Sequence, residues 1–313
     1  LKKNSLYVGE FPTKVSDITL EIKDESTDVV KNLKSGYYDC AYISGADYEA
    51  MDDEKVNAQA YSNKLWAFVF NKNSLPFSNK TLRQALCLSI SDVDLEEHKF
   101  ITNATTFTPP SCTIGSQSAN DVISNIAPTQ DSEKAIGFWK SGLEETEIST
   151  ADITIIVPED MEEIAKQLVQ GIQGSIGKIT NYGDDEKISF SLKLNVLNDE
   201  DYSTAFSDGD YDIALYCFES GTQNAVSFLS EIYNSNYMGE VSSVEDALKT
   251  AQSASASDLA NACKKCQQEI MSDYSIMPLF FESSYYVQAQ GVSDVQFHAG
   301  SGRVSFVNAT RED

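Results

Sequence analysis

Basic residues are scarce in this chain. There are 23 Lys and Arg against 48 Asp and Glu, a net charge of −25 over 313 residues. A field of that sign repels a phosphate backbone, which argues against nucleic acid and favours solubility and cationic ligands. Cysteine is also sparse. The six thiols, at positions 40, 87, 112, 217, 263 and 266, are too scattered for a disulfide-dense scaffold. The two histidines, His98 and His298, lack the companions of a nucleophile pair or a zinc site. No apolar run approaches the ~18 residues that suggest a membrane span, and no signal peptide is visible. The glycines form neither a GxGxxG nor a Walker pattern, so no nucleotide cofactor is expected. The chain opens on Leu1-Lys2-Lys3-Asn4 rather than Met, as a fragment would.

With 41% hydrophobic residues the chain can bury a core, and its length suits about two domains. The most informative stretch is 64–92. Leu65 to Phe70 (LWAFVF) is continuously apolar, as in a strand buried on both faces. Asn71 ends it, and Asn73-Ser74-Leu75-Pro76-Phe77 reads as a turn. Ser78 or Asn79 can cap a helix whose Leu82, Ala85, Leu86 and Ile90 share one face. Arg83 and Gln84 are expected off that face.

Around it, Asp17 to Ile22 alternates and predicts a half-buried strand. Ser26-Thr27-Asp28 predicts a helix cap, with Val29, Val30 and Leu33 facing inward and Gly36 ending the helix. Tyr38 to Ile43 predicts a second strand, completing a β-α-β unit with parallel strands. Residues 100–130 read as a loop, and Ser132–Gly142 as a short helix. Strands are expected at Ile153–Val157, Ile188–Val196 and Tyr211–Tyr216, alternating with helices at 160–174 and Asp199–Phe206. Helices at Val244–Ser253 and Asp258–Ser272 precede a strand at Ile276–Phe281, then short strands at Tyr285–Gln290 and Arg303–Val307. Cys263-x-x-Cys266 has metal-ligand spacing but falls inside a helical pattern with no further ligands nearby, so two small core residues are expected.

Several of these pieces resemble family 5 bacterial extracellular solute-binding proteins, the peptide/nickel-type receptors of ABC importers. The matching residues are Leu33-Lys34-Ser35-Gly36, Asp39-Cys40-Ala41, Phe70-Asn71, Pro76-Phe77, Arg83-Gln84-Ala85-Leu86 and Gly209-Asp210-Tyr211-Asp212-Ile213-Ala214. They are collinear over most of residues 17–292. The resemblance implies an α/β fold of the type II periplasmic-binding-protein-like class, with one complete lobe and part of the other. Residues 1–66 and 277–313 would form the partial first lobe and 67–276 the second. The start of the first lobe, and any lipid anchor, would precede Leu1. The implied function is non-catalytic capture of an extracellular solute, an oligopeptide by resemblance, for an ABC transporter permease. The implied protein is a monomer outside the cell membrane, anchored at the cell surface or periplasmic. A Cys- or carboxylate-dependent hydrolase and a sensory solute receptor are the alternatives.

Tyr216 to Asn224 is the foremost candidate for the site. It follows a strand's carboxyl end, where open α/β sheets place ligands, and mixes aromatic with amide and hydroxyl groups. In the resembling receptors this loop carries a Trp and then an Asp for the ligand's amino terminus. An ungapped match puts Phe218 at the Trp and Gly221 at the Asp, leaving Glu219 as the loop's acid. The candidate ligand contacts are therefore Tyr216, Phe218, Glu219, Gly221, Thr222 and Asn224, with Trp66 and Phe68 on the crossing strand and Tyr42 and Ser44 from the first lobe. One groove along Trp66, Phe68 and Phe218–Asn224 is expected; core packing is the open alternative for Trp66 and Phe68. A chain lacking much of one lobe is expected to bind ligand poorly.

Overall fold

The computed structural model describes residues 1–10, 12–22, 28–51, 56–94, 98–148, 150–180, 189–219, 222–299 and 302–312. Helix α1 (Val29–Lys34), strand β1 (Cys40–Ile43) and helix α2 (Gly45–Ala50) lead into the long strand β2 (Val56–Phe70). Then come α3 (Lys80–Ser89), β3 (Ile101–Asn103), β4 (Thr113–Ile114), β5 (Gln117–Ser118), α4 (Ala119–Val122) and α5 (Ser132–Thr146). An alternating block follows: β6 (Thr150–Pro158), α6 (Glu162–Thr180), β7 (Ser189–Leu197), α7 (Asp199–Asp208) and β8 (Ile213–Glu219). Helices α8 (Ala225–Asn234), α9 (Ser242–Ser253) and α10 (Leu259–Asp273) precede β9 (Ile276–Ala289). Short strands β10 (Val292–Ser293), β11 (Gln296–His298), β12 (Arg303–Ser305) and β13 (Thr310–Arg311) close the chain.

The main sheet runs β1-β9-β2-β8-β6-β7, with β3 also on β9. β6, β7 and β8 are parallel, as helical crossovers require, while β2 is antiparallel to both β8 and β9. Leu65 to Phe70 are buried, so β2 is covered on both faces as its unbroken apolar run dictates. Pro278 sits inside β9 beside a register shift between the pairs Trp66/Phe280 and Ala67/Pro278. Such an irregularity accommodates a residue with no N–H to give.

Two hydrophobic clusters flank this sheet. The larger holds Leu65–Phe70, Ile276, Met277, Leu279 to Phe281 and the faces of α3, α5, α6 and α8 to α10. The smaller holds Val29, Leu33, Ile43, Met51 and Val287, with Val56, Ala58 and Tyr285 against it. Among the described strands, β2 and β9 run through both. At their far end Asn79 caps α3, its Oδ1 accepting from Leu82 N at 3.0 Å. Gly142 on α5 lets that helix lie against α3: a Cβ there would meet Leu82 Cδ2 at 2.6 Å.

Several expectations are corrected. Asp17 to Ile22 forms no strand: its one ladder contact is an isolated bridge from Asp17 to Lys2, and Leu20 and Ile22 are exposed. Alternation sets which way side chains point, but a strand also needs a partner. The β-α-β unit therefore does not form, and β1 instead pairs antiparallel with β9, Tyr42 opposite Tyr286. Val29 and Leu33 are buried as expected, under an Asp28 cap, while Val30 is half-buried. Gly36 takes the left-handed conformation at φ +72°. The 100–130 region is not all loop, since β3, β4, β5 and α4 lie in it. α5 runs past Gly142 to Thr146, and the two strands expected at Ile276–Phe281 and Tyr285–Gln290 are the single strand β9. Ser26, Thr27 and Ile188 lie outside the described residues.

Arg83 is the largest departure. It is 2% exposed. Its guanidinium donates to Phe77 O at 2.8 Å, Asp273 O at 2.9 Å, Tyr274 O at 3.2 Å and Ser78 O at 3.3 Å. Asp273 Oδ2 is 4.0 Å away. Helical periodicity placed it off the apolar face; a second helix end, 190 residues on, closes over it.

Candidate ligand cleft across the crossing strands

The alternating block places the site. The chain leaves β6 toward β7, whereas it leaves β8 toward β9 on the other side. Connections that part in opposite directions open a crevice at the strands' carboxyl ends. Here those ends are Pro158 to Asp160 and Phe218-Glu219. β2 enters the same edge at Asn63-Lys64, and β9 reaches it at Glu282.

Register decides which side chains meet there. Directly opposed residues in an antiparallel pair project to the same face. Lys64 opposes Glu219 and Glu282, Trp66 opposes Cys217 and Phe280, and Tyr61 opposes Ser284. One face of the sheet thus carries Tyr42, Tyr286, Ser284, Tyr61, Lys64, Glu282, Glu219, Cys217 and Trp66. Trp66 Nε1 donates to Glu282 Oε2 at 2.7 Å, and its ring stacks on Phe280 at 6.2 Å. Lys64 Nζ reaches Glu282 Oε1 at 3.4 Å. Glu282 is 4% exposed, so these two partners are what make a buried carboxylate tolerable.

Asn63 falls between the pairs Ser62/Ser283 and Lys64/Glu282, where β2 carries one residue more than β9. Such a bulge re-aims a side chain, and Asn63 Nδ2 donates to Glu219 Oε1 at 3.0 Å. Burial works to lower the Lys64 pKa, but the charge of Glu282, with Glu219 adding, outweighs it and holds the ammonium above its usual range. Partial desolvation first, then the charge of Glu282, raises the Asp160 carboxyl. Burial, with Glu219 adding, raises the Tyr61 phenol, whose bond to Ser284 works the other way. Among the described residues the crevice sets Glu219, Glu282 and Asp160 around Lys64, so a cationic group on a ligand would find compensating charge there.

The candidates divide across this geometry. Tyr42, Trp66 and Glu219 lie on the polar face. Tyr42 is 43% exposed, donates to Gly302 O at 2.6 Å and touches Tyr61, Tyr286 and Phe297. Phe68 shares the face but is fully buried, so core packing is its place. Tyr216 and Phe218 project to the other face, where their rings meet Tyr237, 5.0 and 6.1 Å away. The expected single groove along Trp66, Phe68 and Phe218 is therefore corrected: the period-two pleat puts Trp66 and Phe218 on opposite sides. Ser44 caps α2, accepting from Asp47 N at 3.0 Å, and Asn224 caps α8, accepting from Ser227 N at 3.1 Å. Thr222 is exposed beside Asn224, and Gly221 lies outside the described residues.

Sequence reasoning missed Tyr61, Asn63, Lys64, Asp160 and Glu282. Glu282 carried a signal, a carboxylate inside an apolar strand; the others read as ordinary surface residues. The thiols fit no nucleophile. Cys87, Cys112, Cys263 and Cys266 are buried, and burial pushes Cys263 up to about 11 and Cys112 and Cys266 to about 12, the wrong sense for a reactive thiolate. Among the described residues no group of three or more His, Cys, Asp or Glu could hold a metal ion, and no helix is long and apolar enough to cross a membrane.

A mixed sheet whose two longest strands join two hydrophobic clusters, with a polar face between them, has the architecture of a type II periplasmic-binding-protein-like receptor. The model of the bacterial extracellular solute-binding proteins, family 5 (Middle), matches residues 1–240, and the chain belongs to that family. Its members are binding proteins, not enzymes. Among solved structures, the substrate-binding domain of an oligopeptide ABC transporter from Bacillus anthracis is similar at TM-score 0.67 and 17% identity, covering 91% of this chain and 56% of that one. CtaP, an ABC transporter substrate-binding protein from Listeria monocytogenes, is similar at TM-score 0.71 and 16% identity, over 96% and 61%. OppA of Listeria monocytogenes, solved bound to peptide, is similar at TM-score 0.66 and 16% identity, over 91% and 56%. The chain thus spans 56–61% of the length of these relatives. No curated protein sequence matches it.

Proposed function

We propose that the receptor captures an extracellular solute, an oligopeptide by analogy with its structural relatives, between two lobes and delivers it to an ABC importer's permease. The observation that supports this most directly is the polar face spanning β1, β9, β2 and β8, from Tyr42 to Glu219. The smaller cluster, with residues 1–66 and 277–313, belongs to one lobe, and residues 67–276 form the other. β2 and β9 are the hinge strands, and closure about them would cover the ligand. Trp66, Tyr42 and Glu219 line the cleft with Thr222, Tyr61, Lys64 and Asp160. Glu219, rather than the residue at 221, takes the ligand's ammonium group, because it is the acid that the Asn63 bulge orients. The receptor works as a monomer outside the cell membrane, at the cell surface or in a periplasm, with no catalytic group and no cofactor.

Calorimetric titration of the full-length receptor with a defined tri- to pentapeptide library, run beside turnover assays, tests the reading. Stoichiometric binding without turnover is expected, weakened when Glu219 becomes Gln. Turnover without stoichiometric binding would overturn it in favour of a hydrolase. Peptide uptake by a receptor-deletion strain, restored by the full-length protein, separates transport from sensing alone.

A further inference from the structure

Gln267 stands on the buried face of α10 among Ala262, Cys263, Cys266 and Ile270, and is itself fully buried. An apolar residue would be the default there, because a buried amide costs stability unless it is hydrogen-bonded. Its Oε1 accepts from Phe107 N at 2.8 Å, and its Nε2 donates to Thr108 Oγ1 at 3.5 Å. From the other side Asn120 Oδ1 accepts from Thr106 Oγ1 at 2.9 Å and from Thr108 Oγ1 at 3.4 Å. These side chains grip residues 106–108, which are buried.

Beyond that grip the chain turns at Pro109-Pro110 and is attached to the rim of the cleft at two points. Ser111 N donates to Ser62 O at 3.0 Å, next to the Asn63 bulge. Thr113 donates through both its N–H and its hydroxyl to Gln223 O, and forms a bridge with Asn224. The two attachments flank Glu219: one beside its partner Asn63, the other in the loop that follows it. Ser111 Oγ is buried here with no partner.

We propose that residues 106–113 are a fixed rim strap that preorganises the Glu219 end of the cleft, and that Gln267 is the positioning residue that sets it. Gln267 touches no ligand. It acts through the strap on Ser62-Asn63 and on Gln223-Asn224, so that Glu219 is held before ligand arrives and less ordering is left to binding. This inference rests on the proposed capture role for its purpose, but its first test needs no ligand.

The test is amide hydrogen exchange on the chain carrying Gln267→Met, which keeps size and removes both bonds, beside Ile270→Val, which weakens the same helix and leaves both bonds to Phe107 and Thr108 in place. Expected in Gln267→Met is a rise of about tenfold in exchange at Phe107, Ser111 and Thr113, whose N–H groups donate to Gln267, Ser62 O and Gln223 O. Ile270→Val should leave those amides at the wild-type rate. Equal behaviour of the two variants, or loosening that stops at Phe107, overturns the proposal. If Gln267→Met does not fold, Asn120→Ala releases the strap from its other side and is held to the same outcomes. Capture of the tri- to pentapeptide library by the full-length receptor carrying each substitution, read by native mass spectrometry, forms the second arm. Capture by Gln267→Met should fall while Ile270→Val retains it, and undiminished capture overturns the positioning role. Failure of the full-length wild-type receptor to capture any peptide counts against the proposed function, and the exchange arm then decides this inference alone.

Discussion

Arg83→Met is the sharpest perturbation of the frame that holds β2 and β9. Arg83 ties the turn after β2, through Phe77 and Ser78, to the turn before β9, through Asp273 and Tyr274. Methionine fills much of the same volume and removes every donor. Hydrogen bonds from a charged group contribute ~1.5–3 kcal/mol each, but four bonds on one guanidinium are not additive. The bonds at 2.8 and 2.9 Å carry most of the effect, because the pair at 3.2 and 3.3 Å, to Tyr274 O and Ser78 O, is longer and weaker. Two strong bonds plus the carbonyls left bare give a loss of ~4 kcal/mol. At ~2.1 cal/mol/K per residue, a 313-residue chain has an unfolding entropy near 0.66 kcal/mol/K, so the melting point should fall by ~6 °C. Arg83→Lys supplies a point charge that cannot reach all four carbonyls at once, and should recover about half of that. Differential scanning calorimetry reads both. A shift below ~2 °C for Arg83→Met, or full recovery by Arg83→Lys, would refute the assignment of this frame to a planar, multiply bonded guanidinium.

Trp66→Phe keeps the stacking on Phe280 but strips Glu282 of its 2.7 Å donor, and should cost ~2 kcal/mol in urea unfolding; no change would mean the carboxylate does not depend on the indole. In a Trp139→Phe background, where Trp66 is the one tryptophan left, its emission should respond to bound peptide; a silent spectrum with proven binding would remove Trp66 from the cleft. Stability should fall as pH rises from about 9 to about 11, because the unfolded thiols release protons while buried Cys263, raised to about 11, stays neutral in the native state. Denaturation at stepped pH checks the sign, and Cys263→Ala should flatten the slope. Gly142→Ala should destabilise by ~1–2 kcal/mol despite alanine's better helix propensity, since the new Cβ would stand 2.6 Å from Leu82 Cδ2; an unchanged melting point would show that α3 and α5 can part freely.

The elements that local pattern governs were legible in the sequence. Leu65–Phe70 is a buried strand because six consecutive apolar residues suit little else before a Pro-containing turn, and Asn79 caps α3 because its oxygen reaches the third N–H. The alternating block from Ile153 to Tyr216 was readable because its periods switch cleanly between 2 and 3.6. The family resemblance reached the fold class by the same short motifs. What the sequence left open was everything set by partners distant along the chain. Asp17 to Ile22 has the alternation of a strand and finds no ladder. Arg83 has the periodicity of a surface residue and is enclosed by Asp273 and Tyr274. Trp66 and Phe218 belong to neighbouring strands, yet the register that opposes Trp66 to Cys217 sends them to opposite faces. The same register brings Lys64 and Asn63 together with Glu219 and Glu282, whose two strands both lie more than a hundred residues further along the chain. Local sequence fixes backbone periodicity; only strand pairing decides which of the two faces a side chain shares, and with whom.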